Sequence, residues 1–177
     1  MSQANINHKP TPIFSGDQPP ERVAPARSTQ APEIPTWTLP GFCGTAQIMT
    51  ALGYVPISDL KLGVPVKTRN LGYRRVEWID NIELNANFLG QNPTAYPLLI
   101  PASSLGPSQP RRDMLISQAQ RIDVPRYSGC VSAQSSSSIS GRTGISRVPK
   151  PSFKYYLFHC GTPVSVDVEG LWCEVTP

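Results

Sequence analysis

Histidine is scarce in this chain of 177 residues, which contains only His8 and His159. The side-chain nucleophile of a hydrolase is commonly activated by a histidine that a third group orients. Two histidines leave no Ser-His-Asp set of credible spacing, and no glycine-rich loop of the phosphate-binding kind is present. These absences argue against a triad hydrolase and against a P-loop nucleotide enzyme.

Closely spaced cysteines are also missing, since the four cysteines include no C-x-x-C pair. They are Cys43, Cys130, Cys160 and Cys173. A zinc site needs ligand pairs at short spacing, so the sequence predicts no metal site and no cofactor. Because no secretory signal is visible, we expect free thiols rather than disulfides. Cys160 and Cys173 lie on strand patterns and should fill core space, whereas Cys130 should be exposed.

Long apolar runs and dense charge are absent as well. No run is long enough to cross a bilayer, and the N-terminal MSQANINHKP has no hydrophobic signal core. These features predict a cytoplasmic protein without a membrane anchor. The formal net charge of +4 comes from scattered residues, the densest pairs being Arg74-Arg75 and Arg111-Arg112. We therefore expect no nucleic-acid partner, and the expected partner is a protein of unknown identity.

A sustained helical period is lacking, and short helical turns are expected only around Ile57 to Leu60 and Gln118 to Arg121. Runs with apolar or β-branched residues at period two recur instead, among them TAQIMTA, VPVKTRN, RRVEWIDNIEL, PLLIPASSL, YYLFHC and VSVDVEGLWCEV. The stretch from Asn85 to Asn92 is predicted to be a turn. The fold class is therefore all-β, with short strands and many turns.

Two segments of biased composition flank or interrupt these strands. Residues 1–36 contain seven of the chain's 20 prolines and few apolar side chains, which predicts a disordered proline-rich tail. The serine- and glycine-rich residues 128–147 predict a mobile loop. The ordered β domain is therefore expected over residues 37–177.

The alternation of apolar and polar residues along the predicted strands indicates which side chains are buried. Trp78 occupies a position that should face the core. Asp167 and Glu169 alternate with valines, so their carboxylates are expected on an exposed strand face.

The block GTAQIMTALGYVPISDLKLGVPVKTRNLGYRRVEWI resembles the opening of a bacterial Hint domain, the self-processing module shared by Hedgehog proteins and inteins. In that family a Gly-Thr turn leads to a hairpin, a Val-x-x-Leu-x-x-Gly stretch, and Val-x-x-Arg and Arg-x-Val-x-Trp-Ile strands. The matching positions are Val55, Leu60, Gly63, Val66, Thr68, Arg75, Val76, Trp78 and Ile79. Two later blocks, IPASSLGPSQPRRDMLISQAQRI and YYLFHC through VEGLWCE, resemble the family in the same order. The resemblance implies a small Hint-like fold of short strands and hairpins.

The resemblance also implies a chemistry whose residues this chain lacks. In the family, a cysteine at the first position attacks the preceding carbonyl, and a histidine in the second block polarises that peptide bond and donates to its nitrogen. The cysteine position, counted back from the turn threonine, holds Pro40, and the histidine position holds Gln120. An amide supplies no proton near neutral pH. If the fold is kept, Gln120 should face the backbone between Pro40 and Cys43.

Cys43 follows the Pro40 position by three residues and would cleave after Phe42 if it were a nucleophile. Its activation would need a base or a cation, and His159 is the histidine available in the last block. Cys43, Gln120 and His159 are therefore the candidate catalytic residues, whether active or vestigial. The other interpretation of Cys43 is a small, half-buried apolar residue at the first turn.

The sequence thus predicts a Hint-type protein that has lost autoprocessing and serves as a binding or structural module. Two alternatives stay open. The first is an active self-cleaving domain that uses Cys43 in an N-to-S acyl shift. The second is a structural or assembly β protein, capsid-like or tail-associated, with a proline-rich arm.

Overall fold

The computed structural model describes residues 36–125, 131–141 and 144–177. The predicted tail, residues 1–36, lies outside these ranges except for Thr36, and Cys130 also lies outside them. Within the described ranges, no helix is long and apolar enough to cross a membrane.

Short antiparallel strands dominate the described residues, which confirms the all-β class. These strands are β1 (Phe42–Cys43), β2 (Gln47–Thr50), β3 (Gly53–Pro56), β4 (Pro65–Lys67), β5 (Tyr73–Arg75), β6 (Trp78–Leu84), β7 (Leu98–Ile100), β8 (Met114–Ile116), β9 (Arg121–Pro125), β10 (Val131–Ser135), β11 (Ser146–Arg147), β12 (Phe153–His159), β13 (Val164–Val168) and β14 (Leu171–Val175). Helical structure in the same ranges consists of α1 (Ala86–Gln91) and 3₁₀ turns at Ile57–Asp59, Pro93–Ala95 and Ser136–Ile139.

The described strands form two sheets. One has the order β11-β7-β8-β1-β12-β6, and the other has the order β10-β9-β14-β13-β2-β4-β5, with β3 paired to β2. β1 is central in the first sheet, because Phe42 lies opposite both Ile116 of β8 and Tyr156 of β12. The start of β1 is therefore held from both sides.

The two residues of β1 face different parts of the core, as successive strand residues must. Phe42 is 1% exposed and packs in the larger hydrophobic cluster, near Phe158. Burial of such a ring contributes about 1.5–3 kcal/mol, which fixes the register of β1. Cys43 points the other way, into a smaller cluster that contains Leu89 and Tyr155.

Helix α1 occupies the stretch from Asn85 to Asn92 that the sequence predicted as a turn, so that prediction was wrong. The Asn85 side chain accepts a hydrogen bond from the Phe88 N–H at 3.0 Å and caps the helix. Leu89 is the only α1 residue that is fully buried, and one buried position gives no helical period. The helical turn predicted around Gln118 to Arg121 was also wrong, because a turn there leads directly into β9.

β10, a 3₁₀ turn and β11 lie within residues 128–147, where the sequence predicted a loop. Serine hydroxyls account for much of this order. The Ser135 Oγ donates to the Gln118 carbonyl at 2.7 Å, and the Ser136 Oγ donates to the Ser117 carbonyl at 2.6 Å. Serine side chains therefore contribute to regular structure by binding the backbone of a neighbouring turn, and Ile139 and Ile145 of the same segment are buried in the core. The mobility of the segment stays a prediction.

The carboxylates near the β13–β14 turn are buried, so the prediction of an exposed face was wrong. Asp167 and Glu169 are 6% and 3% exposed. The Tyr54 hydroxyl donates to Asp167 at 3.0 Å, and the Gln47 N–H donates to Glu169 at 3.2 Å, so both buried groups are paired. The Arg111 N–H bonds the Glu169 carbonyl at 2.7 Å, which shows that the loop before β8 packs against this turn.

Candidate functional site

Gln120 reaches the start of β1 from a tight turn between β8 and β9. The Gln120 N–H donates to the Ser117 carbonyl at 3.0 Å and closes this turn. Its side-chain Oε1 then accepts a hydrogen bond from the Gly41 N–H at 3.1 Å. Gln120 is 1% exposed, so this contact lies in the interior of the protein. The resemblance predicted Gln120 beside this part of the backbone, and the structure places it there.

The amide nitrogen of Gln120 is fully used by other partners. Nε2 donates to the Arg121 carbonyl at 3.0 Å and to the Glu174 carbonyl at 2.8 Å. A primary amide has two N–H donors, so both are occupied. Gln120 thereby joins the start of β1 to β9 and β14, and it presents an acceptor, not a donor, to the Gly41 nitrogen.

Ser117 holds the same segment at a neighbouring point. Its Oγ donates to the Leu39 carbonyl at 2.6 Å, and its N–H donates to the Gly41 carbonyl at 2.9 Å. Ser117 is fully buried. Together with Gln120, it fixes the backbone from Leu39 to Gly41 through three hydrogen bonds.

Gly41 occupies a position that does not accept a side chain without a shift of its surroundings. Its φ of +149° lies in the region that favours glycine. A Cβ built at Gly41 would lie 3.1 Å from the Tyr155 Cβ and 3.3 Å from the Tyr156 carbonyl oxygen. The residue whose nitrogen meets Gln120 is thus glycine, one residue beyond the Pro40 position that sequence counting indicated.

Cys43 lies within β1 and is 6% exposed. Burial raises the pKa of its thiol from 9.0 to about 12, and the positive charge of Lys150 opposes this only in part. At pH 7, a thiol with that pKa is ionised in about one molecule in 100,000. The thiolate is the nucleophilic form of cysteine, so this environment suppresses reactivity.

His159 ends β12 and stacks on Trp78, with ring centroids 5.4 Å apart and an interplanar angle of 11°. Its Nδ1 accepts a hydrogen bond from the Gly161 N–H at 3.1 Å. Trp78 is 42% exposed, so its predicted core position was wrong. It begins β6, which is the edge strand of its sheet, and one face of its ring is covered by the histidine.

A cavity of about 260 Å³ lies beside the start of β1. Gly41, Gln120, Trp78 and apolar side chains such as Leu157 line it, whereas Cys43 and His159 do not. Of the three predicted site residues, only Gln120 therefore faces this cavity. Within the described ranges, no group of three His, Cys, Asp or Glu side chains could hold a metal ion.

Gly41 was missed by sequence reasoning, which counted a fixed number of residues back from Thr45 to Pro40. Gly41 is distinguished by a contact that the sequence does not display, the hydrogen bond from its N–H to the Gln120 side chain. Ser117, three residues before Gln120, was visible in the sequence as part of the second block, but its bond to Leu39 was not.

Comparison with known proteins gives a family match over most of the chain. The sequence model of the Hint domain matches residues 40–176. A search of the curated proteins found no match. Similar solved structures include the gp41-1 intein, with 12% identity and a TM-score of 0.47 over 77% of this chain and 98% of that chain. The MchDnaB-1 intein has 10% identity and a TM-score of 0.46 over 76% of this chain and 99% of that chain.

Proposed function

Because the chain belongs to the Hint domain family, we propose that it is a member that no longer processes itself and serves as a binding or structural module. The observation that carries the proposal is the contact of Gln120 Oε1 with the Gly41 nitrogen. In the family, the residue that owns this nitrogen supplies the nucleophile, and glycine has no side chain to supply one.

Proton donation is missing at the same point. Breaking the peptide bond requires a proton on the departing nitrogen, which a histidine delivers in the family. Gln120 is a neutral acceptor toward Gly41, and its two N–H groups are bound to the carbonyls of Arg121 and Glu174. The nucleophile and the proton donor are therefore both missing at the Gly41 nitrogen.

Cleavage by Cys43 has little physical support. The bond it would attack, between Phe42 and Cys43, lies inside β1, where both residues are paired with β12. The thiol is buried, and its pKa is raised to about 12. His159, the expected activating group, stacks on Trp78 and does not line the cavity at the start of β1.

The domain still binds the polypeptide segment that precedes β1. Ser117 and Gln120 still bind the backbone of Leu39 and Gly41. A site that once had to hold a peptide for cleavage can hold it without cleaving it, which supports a binding or structural role.

The proposal is tested by incubating the full chain with dithiothreitol, which captures thioesters, and following its intact mass over time. We expect a single, unchanged mass for the wild-type chain and for Cys43→Ala. The matched comparison matters because the self-cleaving alternative requires the Cys43 thiol, whereas the proposed inactive member does not.

A fragment ending at Phe42 that grows with thiol concentration in the wild type, and is absent from Cys43→Ala, would establish the active alternative. A fragment ending at Pro40 in both proteins would show that processing survives by another route. Either result overturns the proposal.

A further inference from the structure

Trp37 is held by side chains at both of its backbone polar groups. Its N–H donates to the Thr94 Oγ1 at 2.9 Å, and its carbonyl accepts from the Gln118 Nε2 at 3.2 Å. Thr94 belongs to the 3₁₀ turn that follows α1, and Gln118 belongs to the turn between β8 and β9. Two separate elements therefore converge on one residue that is not part of a strand.

The indole ring of Trp37 contacts two other aromatic rings. It stacks on Tyr155 with centroids 6.1 Å apart, and it meets Phe88 edge-on at 5.8 Å. Tyr155 is fully buried, and its hydroxyl donates to the Ala95 carbonyl at 2.9 Å. The Tyr155 wall of this aromatic pocket is thus held by a hydrogen bond that does not involve Trp37.

Gln118 is also oriented independently of Trp37. Its Oε1 accepts from the Arg147 Nη2 at 2.6 Å, which turns its Nε2 toward the segment before β1. Its backbone carbonyl accepts from the Ser135 Oγ at 2.7 Å. Such preorganised donors lower the entropy that is lost when a peptide is bound.

The contacts follow the period of an extended peptide. Residues 37 and 39 are held at their backbone, the latter by Ser117, while Thr38 between them is exposed. A groove of about 490 Å³ lies beside Trp37 and is lined by Gln118 and Arg147. The three hydrogen bonds from Trp37 to Thr94, from Gln118 to Trp37 and from Ser117 to Leu39 involve backbone atoms of this segment, so its side-chain selectivity comes from the ring of Trp37.

We propose that Thr94, Ser117, Gln118 and the Tyr155–Phe88 pair form a binding site for an extended peptide with a tryptophan side chain, filled in cis by residues 37–39. The inference rests on the proposed binding role of the domain and gives that role a ligand class.

Recognition of the ring is by shape and stacking. The Trp37 Nε1 is buried and has no hydrogen-bond partner in the part of the chain that the structure describes. An aromatic ring without an N–H group should therefore fill the pocket, whereas an alanine side chain should not.

The test uses the full chain with Trp37→Gly, which empties the aromatic pocket and loosens the segment. The probe is N-acetyl-Thr-Trp-Thr-Leu-amide, and the control probe has alanine in place of tryptophan. We expect the tryptophan peptide at millimolar concentration to raise the melting temperature of Trp37→Gly by roughly 2–4 °C. The alanine peptide, and either peptide with the wild-type chain, should have no effect.

Equal shifts with both peptides, or no shift with either, would overturn the proposed site. If Trp37→Gly does not fold, the proposed site is tested by hydrogen exchange of the Trp37 amide in the wild-type chain. We expect exchange at least tenfold slower than in an unstructured peptide and accelerated by Thr94→Val, with the Tyr156 amide unchanged as a control. Exchange at the unstructured rate in the wild type would contradict the site. Neither failure would bear on the thiol experiment, which reads cleavage alone.

Discussion

Ser117 and Gln120 hold two different peptide bonds of the segment before β1. The Ser117 hydroxyl donates to the carbonyl of Leu39, which belongs to the Leu39–Pro40 bond. Gln120 accepts from the N–H of Gly41, which belongs to the Pro40–Gly41 bond. Cleavage of a peptide bond needs its carbonyl polarised and its own nitrogen protonated. Ser117 polarises the carbonyl of one bond, and Gln120 meets the nitrogen of the next bond only as an acceptor, so neither bond receives both.

Gly41→Ala should destabilise the protein by about 2–4 kcal/mol. The φ of +149° disfavours any residue with a Cβ, and the added atom would lie 3.1 Å from the Tyr155 Cβ. Urea unfolding followed by circular dichroism measures the change in the free energy of unfolding.

The matched control for that substitution is Gly90→Ala in α1. Apart from its chain neighbours and the backbone of α1 itself, no atom lies within 4 Å of the Cβ that alanine would add there. Alanine in a helix interior stabilises by about 0.5–1 kcal/mol relative to glycine. If Gly41→Ala and Gly90→Ala had the same effect on stability, the steric account of Gly41 would be wrong.

Gln120→Ala should cost about 2–4 kcal/mol, because it leaves buried backbone groups without partners. The groups are the Gly41 N–H and the carbonyls of Arg121 and Glu174. Gln91 is exposed, so Gln91→Ala should change the free energy of unfolding by no more than about 0.5 kcal/mol. A loss for Gln120→Ala as small as that control would contradict its role as a buried link between strands.

The sequence predicted the position of Gln120, in the second block, better than it predicted which residue near the start of β1 Gln120 contacts. Gln120 follows Ser117 within one tight turn, so spacing along the chain determines where its side chain points. Counting five residues back from Thr45 leads to Pro40, whereas the backbone nitrogen that Gln120 contacts belongs to Gly41, four residues before Thr45. A difference of one residue depends on contacts between distant segments, which a sequence does not display.

Burial near the β13–β14 turn could not be inferred from alternation for a related reason. The pattern of β13 correctly predicts a strand, but the cover over Asp167 and Glu169 comes from a segment more than fifty residues earlier. Arg111 packs on Tyr54, with its guanidinium 4.4 Å from the ring centroid, and bonds the Glu169 carbonyl. A periodic pattern indicates which face of a strand is apolar, but it does not predict whether a distant loop covers the polar face.

The thiol of Cys43 should react slowly with iodoacetamide in the folded protein. A pKa raised from 9.0 to about 12 reduces the thiolate about 1,000-fold at neutral pH, before steric protection is counted. Peptide-level mass spectrometry should show that alkylation of Cys43 is at least 100-fold slower in buffer than in urea.

The pH dependence of that reaction gives a second readout. In the folded protein the rate at Cys43 should rise about tenfold per pH unit from 7 to 10 without levelling off. In urea the rate should level off above about pH 9, the ordinary thiol value. A folded-state rate that levels off near neutral pH would mean an activated thiol and would favour the self-cleaving alternative.

Because Ser117 and Gln120 contact different peptide bonds, a final prediction concerns a variant in which the missing thiol and imidazole are both restored. Pro40→Cys together with Gln120→His supplies a thiol and an imidazole, and the carbonyl that the introduced thiol would attack, that of Leu39, already accepts the Ser117 hydroxyl. The imidazole, however, replaces a side chain that meets the nitrogen of Gly41, not that of residue 40. The departing nitrogen would lack its proton donor, so we expect no thiol-dependent cleavage after Leu39 in the folded double variant. Intact mass in dithiothreitol measures this, with each single variant as a control. A fragment ending at Leu39 in the double variant alone would show that the imidazole reaches the neighbouring nitrogen, and that the proposed loss of processing rests on the two missing side chains and not on the register of the segment.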